Sequence, residues 1–116
     1  MADKRDIRRH RKRIKIRFGI DEPVRIAFTE DISMTGMFIK TPNIMPPNTK
    51  IRVELLILEE RKVELEARVM WAKKVPPNLF HLAKKGGMGV RFLRFHAGEE
   101  HFNNYFDELS LEPVRQ

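Results

Sequence analysis

The chain has no cysteine, which excludes a disulfide framework and any zinc site built on thiolates. It has no apolar run approaching the roughly 20 residues that a membrane-spanning helix needs. Its four histidines, His10, His81, His96 and His101, are scattered without metal-ligand spacing, so no metal site is expected. The glycine-rich stretch Gly86-Gly87-Met88-Gly89 lacks the lysine and helix of a phosphate loop and reads as a tight turn. Ser33 has no histidine in a triad-like arrangement. Glu64 and Glu66 read as the solvent face of a strand, so no catalytic residues are expected. The N-terminus is charged from Asp3 onward and lacks the apolar segment of a secretory signal, so a cytoplasmic location is expected.

Acidic residues are also scarce at the start. The first 17 residues hold nine lysines and arginines against two aspartates, whereas the other 99 hold 14 of each sign. The whole net charge of +7 therefore sits on a short N-terminal arm attached to a neutral body. Such an arm attracts anions. At 116 residues the chain has room for one domain. Residues 1–12 read as a flexible basic arm and residues 13–112 as the folded unit.

From Ile14 the pattern becomes regular. Ile14, Ile16, Phe18 and Ile20 alternate with Lys15, Arg17 and Gly19, as in a strand with one buried face. After the turn residues Asp21-Glu22-Pro23, Val24, Ile26 and Phe28 alternate again, predicting a hairpin with these three side chains inward. Asp31 to Gly36 interrupts the alternation. Asp, Ser and Thr side chains can bond nearby backbone there, and Gly36 can take a positive φ. A short strand follows over Met37–Thr41, then a proline-containing loop. Ile51, Val53, Leu55 and Ile57 mark the next strand, and Val63, Leu65, Ala67, Val69 and Trp71 the one after. By this parity Trp71 belongs in the core. Met88 to Phe95 is the last strand. Phe102, Tyr105, Phe106 and Leu109 then form the apolar stripe of one helix, with Glu99 and Glu100 in its first turn. Six short strands with hairpin-length links point to an antiparallel barrel or sandwich, and the helix should cover an open end or side of it.

Two short motifs stand at fixed places in this pattern. Arg9-x-x-x-Arg13 lies directly before the first strand, and Asp31-x-Ser33-x-x-Gly36 follows the second. Arg5/Arg9 and Arg13/Arg17 share the arginine spacing, but only Arg9/Arg13 sits at the junction of arm and folded unit. In these motifs, the strand order, the Gly89-Val90-Arg91-Phe92 strand and the terminal helix, the chain resembles the PilZ domain family of bacterial cyclic di-GMP receptors. The resemblance implies a six-stranded antiparallel β-barrel with a C-terminal α-helix. It implies a non-enzymatic receptor that signals through ordering of its arm and binding of a protein partner.

The implied ligand residues are Arg8, Arg9, Arg13, Asp31, Ser33 and Gly36. Arginine forks match both phosphate and the guanine O6/N7 edge, and a carboxylate accepts from the guanine N1–H and N2–H donors. Trp71, if at the barrel rim, and His10 could stack on a base. No cofactor beyond the ligand is implied, and a monomer with the helix capping its own barrel is favoured over a helix-mediated dimer. Two alternatives compete: a small nucleic-acid-binding barrel using the basic arm, and a PilZ-like docking module that binds no nucleotide. Against the first, the body is neutral and an exposed aromatic platform is not evident.

Overall fold

A computed structural model describes residues 9–58, 61–76, 78 and 86–111. Residues 1–8, the turn at 59–60, most of the 73–85 excursion and the residues after Leu111 lie outside the described residues. Six strands close into one barrel: β1 Lys15–Gly19, β2 Arg25–Ile32, β3 Gly36–Lys40, β4 Lys50–Leu58, β5 Arg61–Lys73 and β6 Gly87–Ala97. Their order around the barrel is β1-β2-β3-β6-β5-β4, with every neighbouring pair antiparallel and β1 pairing β4 to complete the ring. Closure leaves none of the described strands with a free edge to template aggregation.

Most of the alternation translates directly into burial. Ile14, Ile16 and Phe18, then Ile51, Val53 and Leu55, then Val63, Leu65, Ala67 and Val69 all point into the core. Met37, Ile39, Met88 and Val90 complete it from β3 and β6. In the loop before β4, Asn48 takes a left-handed conformation at φ 76 after Pro46-Pro47, one that asparagine tolerates better than most residues.

The second strand corrects the sequence reading. Val24 and Ile26 face outward at 68% and 56% exposure, while Ala27 and Thr29 face inward. Ile20 also lies outside, beyond the end of β1. The buried Thr29 hydroxyl is the physical reason. It accepts the Ile14 amide at 2.9 Å and donates to the Lys12 carbonyl at 2.6 Å. These bonds pin the register that sets Ile16 opposite Ala27, and a one-residue slip would reverse every side chain of the strand. On the outer face the Arg13 guanidinium lies 3.7 Å from the centre of the Phe28 ring. Thr29→Val keeps the volume but removes the hydroxyl that the Ile14 amide and the Lys12 carbonyl both bond. It is expected to lower the unfolding free energy by about 1–3 kcal/mol, read by urea denaturation.

The helix α1, Glu99–Ser110, buries Phe102, Phe106 and Leu109 against its own barrel. Phe102 meets Phe92 and Phe95 of β6 at ring distances of 5.5 and 5.3 Å. Phe106 meets His10 in a T-shaped ring contact at 5.1 Å. Glu99 and Glu100 occupy the first turn, where the helix dipole favours negative charge.

Candidate ligand-binding site

Two β-bulges build the site. In β2, Thr29 pairs with Ile39 and Asp31 with Phe38, so the register shifts between Thr29 and Asp31. Without that shift Asp31 would share the inward parity of Thr29. With it, Ile32 is fully buried and Asp31 is turned toward solvent. In β5, Val69 pairs with Val90 and Trp71 with Gly89, leaving Met70 as the extra residue. The bulge breaks the parity that runs through Ala67 and Val69. Trp71 therefore lies on the outer surface at 46% exposure rather than in the core, contrary to the sequence reading.

The indole is held from two sides. It stacks on Phe38 at a ring distance of 5.2 Å and an interplanar angle of 19°. Behind it lies Gly89, where a Cβ would collide with the indole ring. A flat aromatic face is thus fixed on the outside of the barrel, ready to stack on a planar group.

The turn between β2 and β3 is organised by Ser33. Its amide donates to the Gly36 carbonyl at 2.8 Å, and its hydroxyl oxygen accepts the amides of Thr35 and Gly36, each at 3.2 Å. Ser33 is itself buried, so its hydroxyl serves the turn. Gly36 does not take a positive φ. Its glycine identity has a different cause: a Cβ there would strike the Val90 carbonyl of β6.

The chain before β1 returns to this turn. His10 and Ile32 exchange backbone hydrogen bonds of 2.9 Å in both directions. The bridge delivers Arg9 to Asp31, Nη1 to Oδ1 at 2.6 Å. The Arg9 and Asp31 side chains are 61% and 29% exposed, so the pair contributes little to stability and both groups remain accessible to a ligand.

Arg9, Asp31, Gly36, Phe38, Trp71 and Arg91 line one cleft of about 550 Å³. The structure therefore brings together Arg9, Asp31, Gly36 and Trp71 from the residues named by sequence. Arg13 is placed on Phe28, outside that lining, and His10 turns its ring to the helix. Arg8 lies outside the described residues. Met70 and Arg91 line the cleft but were not singled out from sequence. Arg91 lies in the Gly89-Val90-Arg91-Phe92 strand noted above but was given no ligand role there; the membership of both follows from strand register. Among the described residues no cluster of three or more metal-ligating side chains occurs, and no helix is long and apolar enough to cross a membrane. A guanidinium, a carboxylate and an exposed indole around one cleft suit a planar base that carries both hydrogen-bond donors and a phosphate.

Comparison with known proteins agrees with the barrel architecture. Among curated proteins no match is found. Among solved structures the barrel is similar to an inhibitor of motility from Bacillus subtilis, MotI/DgrA, with a TM-score of 0.68 and 18% sequence identity. The similarity covers 89% of this chain and 49% of that one, so this chain spans about half the length of that protein. A model of the PilZ domain matches residues 3–108, a span that contains the barrel, both bulges, both motifs and nearly all of the helix. The chain belongs to the PilZ domain family.

Proposed function

We propose that this protein is a cytoplasmic, non-enzymatic receptor for cyclic di-GMP. The observation that carries the reading is the meeting of the two motifs: Arg9 rests on Asp31 beside the exposed Trp71. In the bound state the Asp31 carboxylate accepts from guanine N1–H and N2–H in place of Arg9. The freed Arg9 turns to a phosphate or to the guanine O6/N7 edge. Arg13 leaves Phe28 to join it, and Arg8 adds a further cation. Trp71 stacks on a base. Ser33 and Gly36 act through the turn, by holding the backbone beside Asp31. Ligand phosphates neutralise the basic arm and order it over the cleft, and a protein partner reads the surface so formed.

Isothermal titration calorimetry with cyclic di-GMP tests the reading. Four or five charge-assisted hydrogen bonds, less the cost of ordering the arm, predict a micromolar Kd. Cyclic di-AMP should bind at least tenfold more weakly, because adenine offers no N1–H donor to Asp31. A Kd for cyclic di-GMP at or above a millimolar would remove the receptor assignment.

A further inference from the structure

Arg91 is the cleft cation that neither motif supplies. Its surroundings are asymmetric. On one side, across β5, the residue in register with it is Arg68. On the other side, across β3, it is Gly36 of the second motif. Arg68 and Arg91 are both exposed, and neither pairs with a carboxylate among the described residues. Like charges directly opposite on a sheet repel. Gly36 presents no side chain at all. The Cβ position of Gly36 is already filled by the Val90 carbonyl and the Arg91 backbone, so it is repulsion from Arg68 that favours a guanidinium turned toward the Gly36 side, where Arg91 lines the cleft with Asp31 and Trp71. The same strand is tied to the motif turn by the Phe92 amide, which donates to the Thr35 carbonyl at 2.8 Å.

The ligand of the proposed reading carries two phosphates, and the cleft as it stands is lined by two arginines, Arg9 and Arg91. Arg13, the second arginine of the first motif, rests on Phe28 in the free protein and joins only with the ligand, so Arg9 and Arg91 are the cations already in place. We infer that Arg91 is a phosphate anchor of this cleft, facing Arg9 across the base-stacking surface, and that Arg68 is a positioning residue that holds Arg91 toward it. This rests on the cyclic dinucleotide reading. Arg91 also borders a neighbouring hollow of about 430 Å³ with Arg68 and Asn48, a hollow lined by no carboxylate. On the Arg68 side no described residue offers an acid that competes for its charge, whereas a third hollow bordered by Arg91 is lined by Glu99.

The test is calorimetric titration of cyclic di-GMP into the wild type and three variants, with thermal unfolding of each followed by circular dichroism. Arg91→Gln should raise Kd by about tenfold to a hundredfold and make binding less sensitive to salt, with Tm unchanged or slightly raised by relief of the Arg68 repulsion. Arg91→Lys keeps the charge without the two-pronged geometry and should fall between. Arg68→Glu should raise Tm, by replacing repulsion with an ion pair, yet raise Kd severalfold, by drawing Arg91 out of the cleft. A purely structural role for either residue would not move stability and affinity in opposite directions. Wild-type binding with Arg91→Gln within twofold of it overturns the inference while leaving the receptor reading intact. Failure of the wild type itself to bind below a millimolar overturns both.

Discussion

Asp31→Ala should abolish cyclic di-GMP binding while leaving the fold nearly as stable as before. Among the described residues of the cleft, Asp31 carries the carboxylate suited to accept both the N1–H and N2–H of a guanine, and hydrogen bonds to a charged acceptor are worth about 1.5–3 kcal/mol each. Losing two of them raises Kd by at least a hundredfold, beyond the range of a titration that starts at micromolar affinity. Asp31→Asn should fare almost as badly, since its amide would point a donor at a donor. Stability should hardly move, because the interaction lost in the free protein is an exposed ion pair worth about 1 kcal/mol or less. The diagnostic result is thus lost calorimetric heat with a Tm within a few degrees of wild type. Retained micromolar binding in Asp31→Ala would show that the carboxylate does not read the base.

The largest effect on stability is expected from Phe102→Ala. This ring is 1% exposed and joins the helix to the barrel through Phe92, Phe95 and Phe106. Its removal leaves a cavity that three other aromatic rings cannot readily fill. The loss should be about 3–5 kcal/mol in urea denaturation, a large part of the stability of a domain this size. The consequence extends to the site. Phe106 packs on the same helix face and meets His10, and His10 holds Arg9 beside Asp31 through its bridge to Ile32. Phe102→Ala should therefore weaken ligand binding at temperatures well below its own Tm. If affinity at 10 °C matches wild type, the helix and the cleft are independent.

The strands, the helix and most of the core could be read from the chain because each rests on a short period. Ile14-Ile16-Phe18, Ile51-Val53-Leu55 and Val63-Leu65-Ala67-Val69 alternate and are buried as they alternate. Phe102, Phe106 and Leu109 recur at helical spacing and form the docked face. Both motifs could be placed relative to their strands for the same reason. The period failed where it changes phase. Val24 and Ile26 make as good an alternation as Ala27 and Thr29, and only the bonds from Thr29 to Lys12 and Ile14 choose between them. Trp71 follows Val69 by two residues, so its parity argued for the core. A single bulged residue, Met70, reverses that.

What the sequence settled alone was local: which segments extend, which coil, where the charge lies and which two motifs flank the first strands. Those properties depend on neighbours a few residues away. What only the tertiary structure decided was which side chains share a surface. Asp31 and Trp71 reach the outside through bulges whose partners lie on other strands. Arg9 meets Asp31 across 22 residues. Arg91 enters the cleft because register sets it between an arginine and a glycine. Register is fixed by hydrogen bonds between distant segments once the barrel has closed, and one inserted residue inverts the outcome, so the membership of this site is a property of the closed barrel.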